Sequence, residues 1–94
     1  MTWDEYKEEV KREDPESSEL LEKAEAEADI IAAILQKRSD LGLSQRDLAN
    51  LCDLPQSTVA RIEAFKIMPK LDTLITILHK LGLTLTVTPI QKSI

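Results

Sequence analysis

The segment SQRDLANLCDLPQSTVARIEA, which covers residues 44–64, constrains the fold of this chain more than any other. Ser44 followed by Asp47 has the spacing of a capping box, so a helix is expected to begin at this point. Residues 53–55, with the sequence Asp-Leu-Pro, form the predicted turn, because proline disfavours a helical conformation in the residue before it. A second helix is expected over about residues 56–64. The sequence therefore predicts two short helices joined by a tight turn.

Two longer apolar stripes flank this segment. The first runs from Leu20 to Leu41 and predicts a helix that starts near Pro15 and ends at Gly42, a residue suited to a left-handed C-cap. A helix of that length would be about 40 Å long at 1.5 Å per residue, so a break in its middle is an alternative. The second stripe predicts a helix that ends at Gly82. Its members are Leu71, Leu74, Ile75, Leu78 and Leu81.

The N-terminus predicts a further short helix over about residues 2–13. A capping-box spacing begins at Thr2, and an apolar face follows at positions i, i+3 and i+7. This face consists of Trp3, Tyr6 and Val10. Two of the three aromatic side chains of the protein therefore lie in a short segment that has little core of its own.

The C-terminal tail has a different period. Leu83, Leu85 and Val87 alternate with threonines, a two-residue repeat that predicts one β-strand closed by Pro89. No second strand is predicted, and a lone strand would leave its N–H and C=O groups unpaired. The same strand from a second copy could pair with it across a two-fold axis. The tail therefore predicts a homodimer.

The net charge of −5 conceals an uneven distribution. Residues 1–29 carry 12 acidic and 4 basic side chains, a net charge of −8, whereas residues 30–94 carry 5 acidic and 8 basic side chains, a net charge of +3. We therefore divide the chain into an acidic helical extension (1–29), a central helical domain (30–82) and a strand with its tail (83–94).

The composition argues against several classes of protein. The chain has one cysteine, Cys52, so no internal disulfide can form and a reducing cytoplasm is the expected location. No apolar run approaches the roughly 20 residues of a membrane span, and the acidic N-terminus is not a signal peptide. The chain has one histidine, His79, and its sequence contains no phosphate-binding glycine loop and no metal-ligand cluster. These features argue against an enzyme, a metal site or a cofactor.

Residues 30–82 resemble the lambda-repressor-like (Cro, XRE) family of helix-turn-helix domains. The resemblance rests on GLSQ, on the LA pair of the first short helix, on STVARIE and on the closing leucine-rich helix, which all fall in register. In this register Ala49 stands where the second helix crosses and a small residue is needed. Asp53 stands in the turn, where a positive φ is favoured. The positions that face the core are Cys52, Val59 and Ile62.

The resemblance implies which side chains would meet double-stranded DNA. Gln and Arg make bidentate contacts with adenine and guanine edges, and the residues expected to face bases are Gln56, Ser57 and Arg61. The residues expected to contact phosphates are Gln45, Thr58, Lys37, Arg38 and Lys66. An arginine placed like Arg38 can also pair with a glutamate placed like Glu63. Asp53 and Phe65 stand where the family often has glycine, and Phe65 could pack under its loop or extend the contact with a second copy.

The later sequence PKLDTLITILHKLGLTLTVTP is similar to HigA-type antitoxins, the DNA-binding halves of toxin–antitoxin pairs. That resemblance implies a partner ribonuclease of RelE/HigB type and repression of the protein's own operon. A ribonuclease that grips RNA is expected to be basic, which suits the acidic extension. Exposed aromatic side chains with a charged rim are typical of an interface, so Trp3, Tyr6 and Val10 are expected to contact the toxin.

The expected fold is all-α: a lambda-repressor-like helix-turn-helix bundle with an N-terminal helical extension and one C-terminal β-strand that pairs across a homodimer. The first functional hypothesis is an antitoxin that neutralises a toxin and represses its own operon. The second is a stand-alone repressor whose acidic extension only keeps it soluble. The third is an adaptor that uses the fold for dimerisation and binds no DNA, with Gln56 and Arg61 as ordinary surface residues.

Overall fold

The computed structural model describes residues 2–7 and 15–90. Its helices are α1 (residues 3–7), α2 (Pro15–Asp40), α3 (Gln45–Leu51), α4 (Gln56–Glu63) and α5 (Leu71–Lys80). Within these ranges the chain is all-α, with no β-strand. None of the described helices combines the length and apolarity needed to span a lipid bilayer. The predicted order of helices is therefore confirmed from α2 to α5.

Capping interactions fix where α3 begins. The backbone N–H of Asp47 donates to Oγ of Ser44 at 3.0 Å, and the backbone N–H of Ser44 donates to Oδ2 of Asp47 at 2.9 Å. These two bonds satisfy donors that the first turn of a helix leaves unpaired. The hydrogen bonds from Ser44 lower the pKa of the Asp47 carboxyl below its ordinary value. The predicted capping box is confirmed.

Helix α2 is continuous over its 26 residues, which corresponds to a length of about 39 Å. The alternative of a break in its middle is therefore wrong. Ile31 and Ile34 in its second half are each 1% exposed and belong to the core, whereas Ser18 is the only buried residue among residues 16–29. Gly42 ends the helix at φ +69°, a left-handed conformation that glycine adopts without strain.

The core lies where the second half of α2 meets α3, α4 and α5. Its ten buried apolar residues are Ile31, Ile34, Leu48, Ala49, Val59, Ile62, Leu74, Ile77, Leu78 and Leu81. Burial of side chains of this size contributes about 1.5–3 kcal/mol each. Helix α5 ends at Lys80, and Gly82 shortly after it has φ +78°, which matches the predicted C-cap.

Three leucines on the two predicted apolar stripes lie on the surface instead. Leu20 is 69% exposed, Leu41 is 49% exposed and Leu71 is 62% exposed. Leu41 follows the last residue of α2, Leu71 is the first residue of α5, and Leu20 lies in the mostly uncovered first half of α2. The apolar period therefore continues in the sequence beyond the part of each helix that other elements cover.

Helix α1 lies against the first half of α2. Nζ of Lys7 donates to Oε1 of Glu25 at 2.9 Å, which joins the two helices. The predicted capping box is present, because the N–H of Glu5 donates to Oγ1 of Thr2 at 3.1 Å and the N–H of Thr2 donates to Oε2 of Glu5 at 3.4 Å. The predicted position of Val10 lies outside the described residues.

Residues 83–90 form no β-strand in the single chain. A strand is defined by hydrogen bonds to a neighbouring strand, and the described residues supply no such neighbour. Leu83 packs against the core, Leu85 is 38% exposed and Val87 is 99% exposed. The strand therefore does not form within one copy, and its pairing across a homodimer stays a prediction.

Candidate nucleic-acid interface

Helix α4 has one buried face and one exposed polar face. Val59 and Ile62 are each 2% exposed and pack into the core. Gln56, Ser57 and Arg61 lie on the exposed side. The inward orientation of Val59 and Ile62 is as predicted from the sequence. The three polar side chains that were expected to face bases are therefore brought together on one accessible surface.

The turn before α4 fixes its direction relative to α3. Asp53 has φ +54°, a left-handed conformation that Asp tolerates better than most residues. The N–H of Leu54 donates to the carbonyl oxygen of Ala49 at 2.9 Å and closes the turn. Ala49 is 1% exposed, so a larger side chain would have to displace one of the two helices. The predicted roles of Asp53 and Ala49 in the turn are confirmed.

A chain of hydrogen bonds connects the first residues of α3 and α4. Nε2 of Gln56 donates to Oε1 of Gln45 at 2.9 Å, and Nε2 of Gln45 donates to Oε1 of Glu63 at 2.9 Å. No local pattern in the sequence predicts these contacts. One signal for these contacts was nevertheless available in the sequence. Gln45 and Gln56 each begin a helix, and the two helices are joined by a tight turn.

This chain of bonds sets the direction of each amide. The carboxylate of Glu63 can only accept hydrogen bonds, so the NH₂ group of Gln45 faces it and the carbonyl oxygen of Gln45 faces Gln56. The NH₂ group of Gln56 donates one N–H to Gln45. One N–H and the carbonyl oxygen of Gln56 are then left to meet a ligand. One donor beside one acceptor is the pair that adenine binds in the major groove.

Arg38 and Glu63 form a paired charge beneath this surface. Nε of Arg38 donates to Oε2 of Glu63 at 2.7 Å, and Nη2 donates to Oε1 at 2.9 Å. A third bond runs from Nη1 to the carbonyl oxygen of Leu43 at 2.8 Å. Their side chains are 18% and 4% exposed. The hydrogen bond to Glu63 raises the pKa of the Arg38 guanidinium, so this guanidinium stays charged.

The pair implied by the resemblance is therefore present and joins α2 to α4. Three of the five N–H groups of Arg38 are used within the protein, which gives this side chain a structural role. Its predicted contact with a DNA phosphate stays a prediction. Among the other predicted phosphate contacts, Gln45 is bonded to Gln56 on the exposed face of α4. Lys66 is exposed after α4, and Lys37, Gln45 and Thr58 are half-buried in α2, α3 and α4.

The side chains predicted to meet a toxin lie on a separate part of the molecule. Trp3 is 54% exposed and Tyr6 is 46% exposed, and their rings stack with centroids 5.7 Å apart. The hydrogen bond to Glu25 raises the pKa of the neighbouring Lys7, so this lysine stays protonated. The structure therefore presents two stacked aromatic rings at the surface, beside the acidic first half of α2.

The single cysteine and the single histidine of the chain, Cys52 and His79, lie in ordinary structural positions. Cys52 is half-buried against the core, and this burial raises the pKa of its thiol. The thiol is thus protonated at neutral pH and a poor nucleophile. His79 is exposed on α5. Among residues 2–7 and 15–90, no three side chains of the His, Cys, Asp and Glu types are grouped as a metal site.

Comparison with known proteins agrees with this geometry. The sequence model of a helix-turn-helix family matches residues 34–87. An uncharacterized HTH-type transcriptional regulator of Haemophilus influenzae is 30% identical over 89 residues, which cover 95% of this chain and 86% of the relative. A solved structure described as a toxin–antitoxin module from Streptococcus pneumoniae superposes with a TM-score of 0.74 at 29% identity. The match covers 96% of this chain and 94% of that chain.

Proposed function

This chain belongs to the helix-turn-helix family of transcriptional regulators, and from that premise we propose that it is the antitoxin of a toxin–antitoxin pair. It binds its own operator as a homodimer through α4 and neutralises a basic ribonuclease toxin of RelE/HigB type through its acidic extension. The observation that carries the DNA-binding part is the exposed polar face of α4, fixed by the burial of Val59 and Ile62 behind it.

Base contacts come from Gln56, Ser57 and Arg61. Gln56 is oriented before DNA arrives, because its bond to Gln45 leaves one donor and one acceptor free. A side chain held in its bound orientation loses less conformational entropy on binding. Arg61 is exposed and suits a guanine, which presents two acceptors in the major groove. Gln56 and Arg61 therefore give the operator its sequence specificity.

Phosphate contacts come from the residues around this face, with Lys37 and Lys66 supplying positive charge and Gln45 and Thr58 supplying neutral donors. Each phosphate that is neutralised releases counterions, so operator binding weakens as the salt concentration rises. Residues 30–94 carry a net charge of +3, and a dimer presents two such units to one operator. The acidic extension lowers this affinity until a basic partner neutralises it.

The toxin part of the proposal is supported by two observations. Trp3 and Tyr6 form an exposed stacked pair in a segment with a net charge of −8. Aromatic residues are enriched at the centres of protein interfaces, and opposite charges speed the encounter of two proteins. The chain also matches nearly the whole length of a protein from a toxin–antitoxin module, its own N-terminal part included. The Haemophilus relative is described as a regulator only, which favours a stand-alone repressor as the second hypothesis.

Gel shifts on duplexes from the protein's own promoter test the DNA-binding part. Arg61→Ala is expected to cost about 1–3 kcal/mol at one operator position and to relax the base preference there. Arg46→Ala is the matched control, because Arg46 is also an exposed arginine but lies on α3 outside the predicted contacts. Equal binding and equal base preference in all three proteins would show that α4 does not contact bases.

A further inference from the structure

A groove separates α2 from the loop that follows α4, and we call it the α2–loop groove. Ala24, Glu27 and Ile31 of α2 form one wall, and residues 65–68 form the other. Its cavity volume is about 230 Å³. The sequence left open whether Phe65 packs under its loop or extends the contact with a second copy. Phe65 is 59% exposed, so it does not pack under the loop.

Phe65 is held in a conformation that its side chain disfavours. Its φ is +61°, in the left-handed region where a bulky residue is strained and glycine is not. Two backbone hydrogen bonds fix this conformation at the end of α4. The N–H of Phe65 donates to the carbonyl oxygen of Ile62 at 3.1 Å, and the N–H of Lys66 donates to the carbonyl oxygen of Arg61 at 2.9 Å. Because the ring is mostly exposed, burial within one copy does not offset the strain. The benefit of an aromatic side chain here lies in a contact outside the chain.

The residues beside Phe65 extend it into an apolar patch. Ile67 is 41% exposed and Met68 is 39% exposed. Single exposed apolar side chains are common on soluble proteins, but contiguous ones mark sites of interaction. Aromatic residues and methionine are also enriched at protein interfaces. The loop wall of the groove therefore has the composition of a protein-binding surface.

The charge of the α2 wall indicates which kind of partner fits the groove. Residues 16–29 of α2 carry six acidic side chains and one basic side chain, and Glu27 of this segment lines the groove. Lys66 of the loop wall, the proposed phosphate contact, is the cation of the lining, so the excess negative charge comes from α2. DNA and a second copy, which has the same acidic segment, would both be repelled by α2. The partner that fits is a basic protein.

The α2–loop groove and the exposed aromatic pair share the same stretch of α2. The bond between Lys7 and Glu25 joins α1 to the turn of α2 that carries Ala24 and Glu27. A protein that binds Trp3 and Tyr6 would therefore lie beside the stretch of helix that forms one wall of the groove. We propose that the α2–loop groove is the second half of the toxin-binding surface, in which Phe65 contacts an apolar side chain within a basic region of the partner. This inference rests on the proposed antitoxin function.

Phe65→Gly separates the proposed contact from the fold. Glycine adopts a positive φ without strain, so the melting temperature of the full chain should not fall. The probe is the purified basic protein encoded by the reading frame beside this one, and the measurement is its Kd by calorimetry. The loss of a central aromatic contact should weaken binding about tenfold or more. Leu41→Ala is the matched control, because Leu41 is 49% exposed but lies outside the groove, and its Kd should not change.

A second measurement decides the question if Phe65→Gly changes the stability. A photo-crosslinking phenylalanine analogue at position 65 should form a covalent bond with the partner, whereas the same analogue at position 41 should not. An unchanged Kd for Phe65→Gly, together with no crosslink from position 65, would overturn the groove while leaving the antitoxin proposal standing. A crosslink between two copies of this chain would make the second copy the occupant and would also overturn it. If the unmodified chain does not bind the probe, the antitoxin proposal fails and this inference fails with it.

Discussion

At the scale of single residues, the carboxylate of Glu63 connects three helices. It lies in α4, accepts two bonds from Arg38 of α2 and accepts one from Gln45 of α3. Its side chain is 4% exposed, so each of these bonds is shielded from water. A buried charge of this kind is costly unless it is paired, and here every described partner is a donor. Glu63 therefore stabilises the fold and also orients Gln45, which in turn holds Gln56.

Glu63→Ala is expected to lower the free energy of unfolding by about 3–5 kcal/mol, because it leaves the largely buried Arg38 without its partner. Urea denaturation of the two proteins measures the difference. Replacing both residues, as Arg38→Met with Glu63→Leu, should be far less damaging than Glu63→Ala alone, because no unpaired charge remains. A single substitution that costs less than the double one would contradict the assignment of a buried ion pair.

Asp47 makes part of the stability dependent on pH. The backbone and side-chain bonds from Ser44 lower the pKa of its carboxyl from an ordinary value of 3.8. The folded state therefore favours the carboxylate, and the resulting stabilisation is complete above the ordinary value. It is lost as the pH falls through the lowered value. Asp47→Asn should destabilise the protein at neutral pH and have little effect near a pH of about 2. Thermal unfolding of both proteins at the two pH values provides the check, and an equal difference at both would contradict it.

Residue types alone predicted the positions that the fold requires but missed the contacts between polar side chains. Val59 and Ile62 follow from helical periodicity, and Asp53 follows from the demands of a tight turn. The bond between Gln45 and Gln56 depends on the distance between two helices, which no local pattern contains. The strained Phe65 was visible as a departure from glycine, but its exposure depends on how the loop lies against α2.

At the scale of secondary-structure elements, helix ends were predicted better than helix faces. The capping box at Ser44 and the left-handed Gly42 and Gly82 are local signals, and the structure has all three. The faces depend on which neighbour is present along each turn. Ile34 and Ile77 are each 1% exposed although the predicted stripes did not include them. Both side chains belong to one core that also takes residues from α3 and α4, an arrangement that the periodicity of a single helix does not contain.

The acidic extension is expected to act as a separate element in function. Deleting residues 1–14 removes Trp3, Tyr6 and the Lys7 bond to Glu25, and it leaves every core residue in place. We expect toxin neutralisation to be lost and operator binding to remain, since the polar face of α4 is untouched. Growth rescue in cells that express the toxin measures the first effect, and gel shifts measure the second. Full rescue by the shortened chain would favour the stand-alone repressor.

At the scale of the whole molecule, the proposed homodimer depends on the C-terminal tail, residues 83–94. Residues 83–90 have alternating apolar side chains but no partner strand among the residues that the structure describes. Val87 is 99% exposed, which leaves a β-branched side chain fully in water. A second copy would supply both the missing hydrogen bonds and a neighbour for these side chains. The homodimer therefore stays a prediction, which the tail makes testable.

Leu85→Pro should weaken dimerisation, because proline removes a backbone donor from the predicted strand. One such bond contributes about 0.5–1.5 kcal/mol, and two-fold symmetry doubles the loss. Leu85→Val is the matched control, since it keeps the N–H and a strand-favouring side chain. Sedimentation equilibrium of the three proteins at micromolar concentration measures the effect. A monomeric unmodified chain at that concentration would refute the shared strand.

The unbroken course of α2 has a consequence for how operator and partner are arranged in space. The same 26-residue helix contributes Ile31 and Ile34 to the bundle at one end and the acidic surface at the other. Each residue in such a helix adds about 1.5 Å and one step of a 3.6-residue turn. In the proposed complex, the direction in which a bound partner projects from the operator is therefore set by the number of residues in α2. One additional residue in α2 would turn a partner bound to its first half by about 100° around the helix axis and move it by about 1.5 Å along that axis, so neighbouring partners on adjacent half-sites would meet or miss each other accordingly.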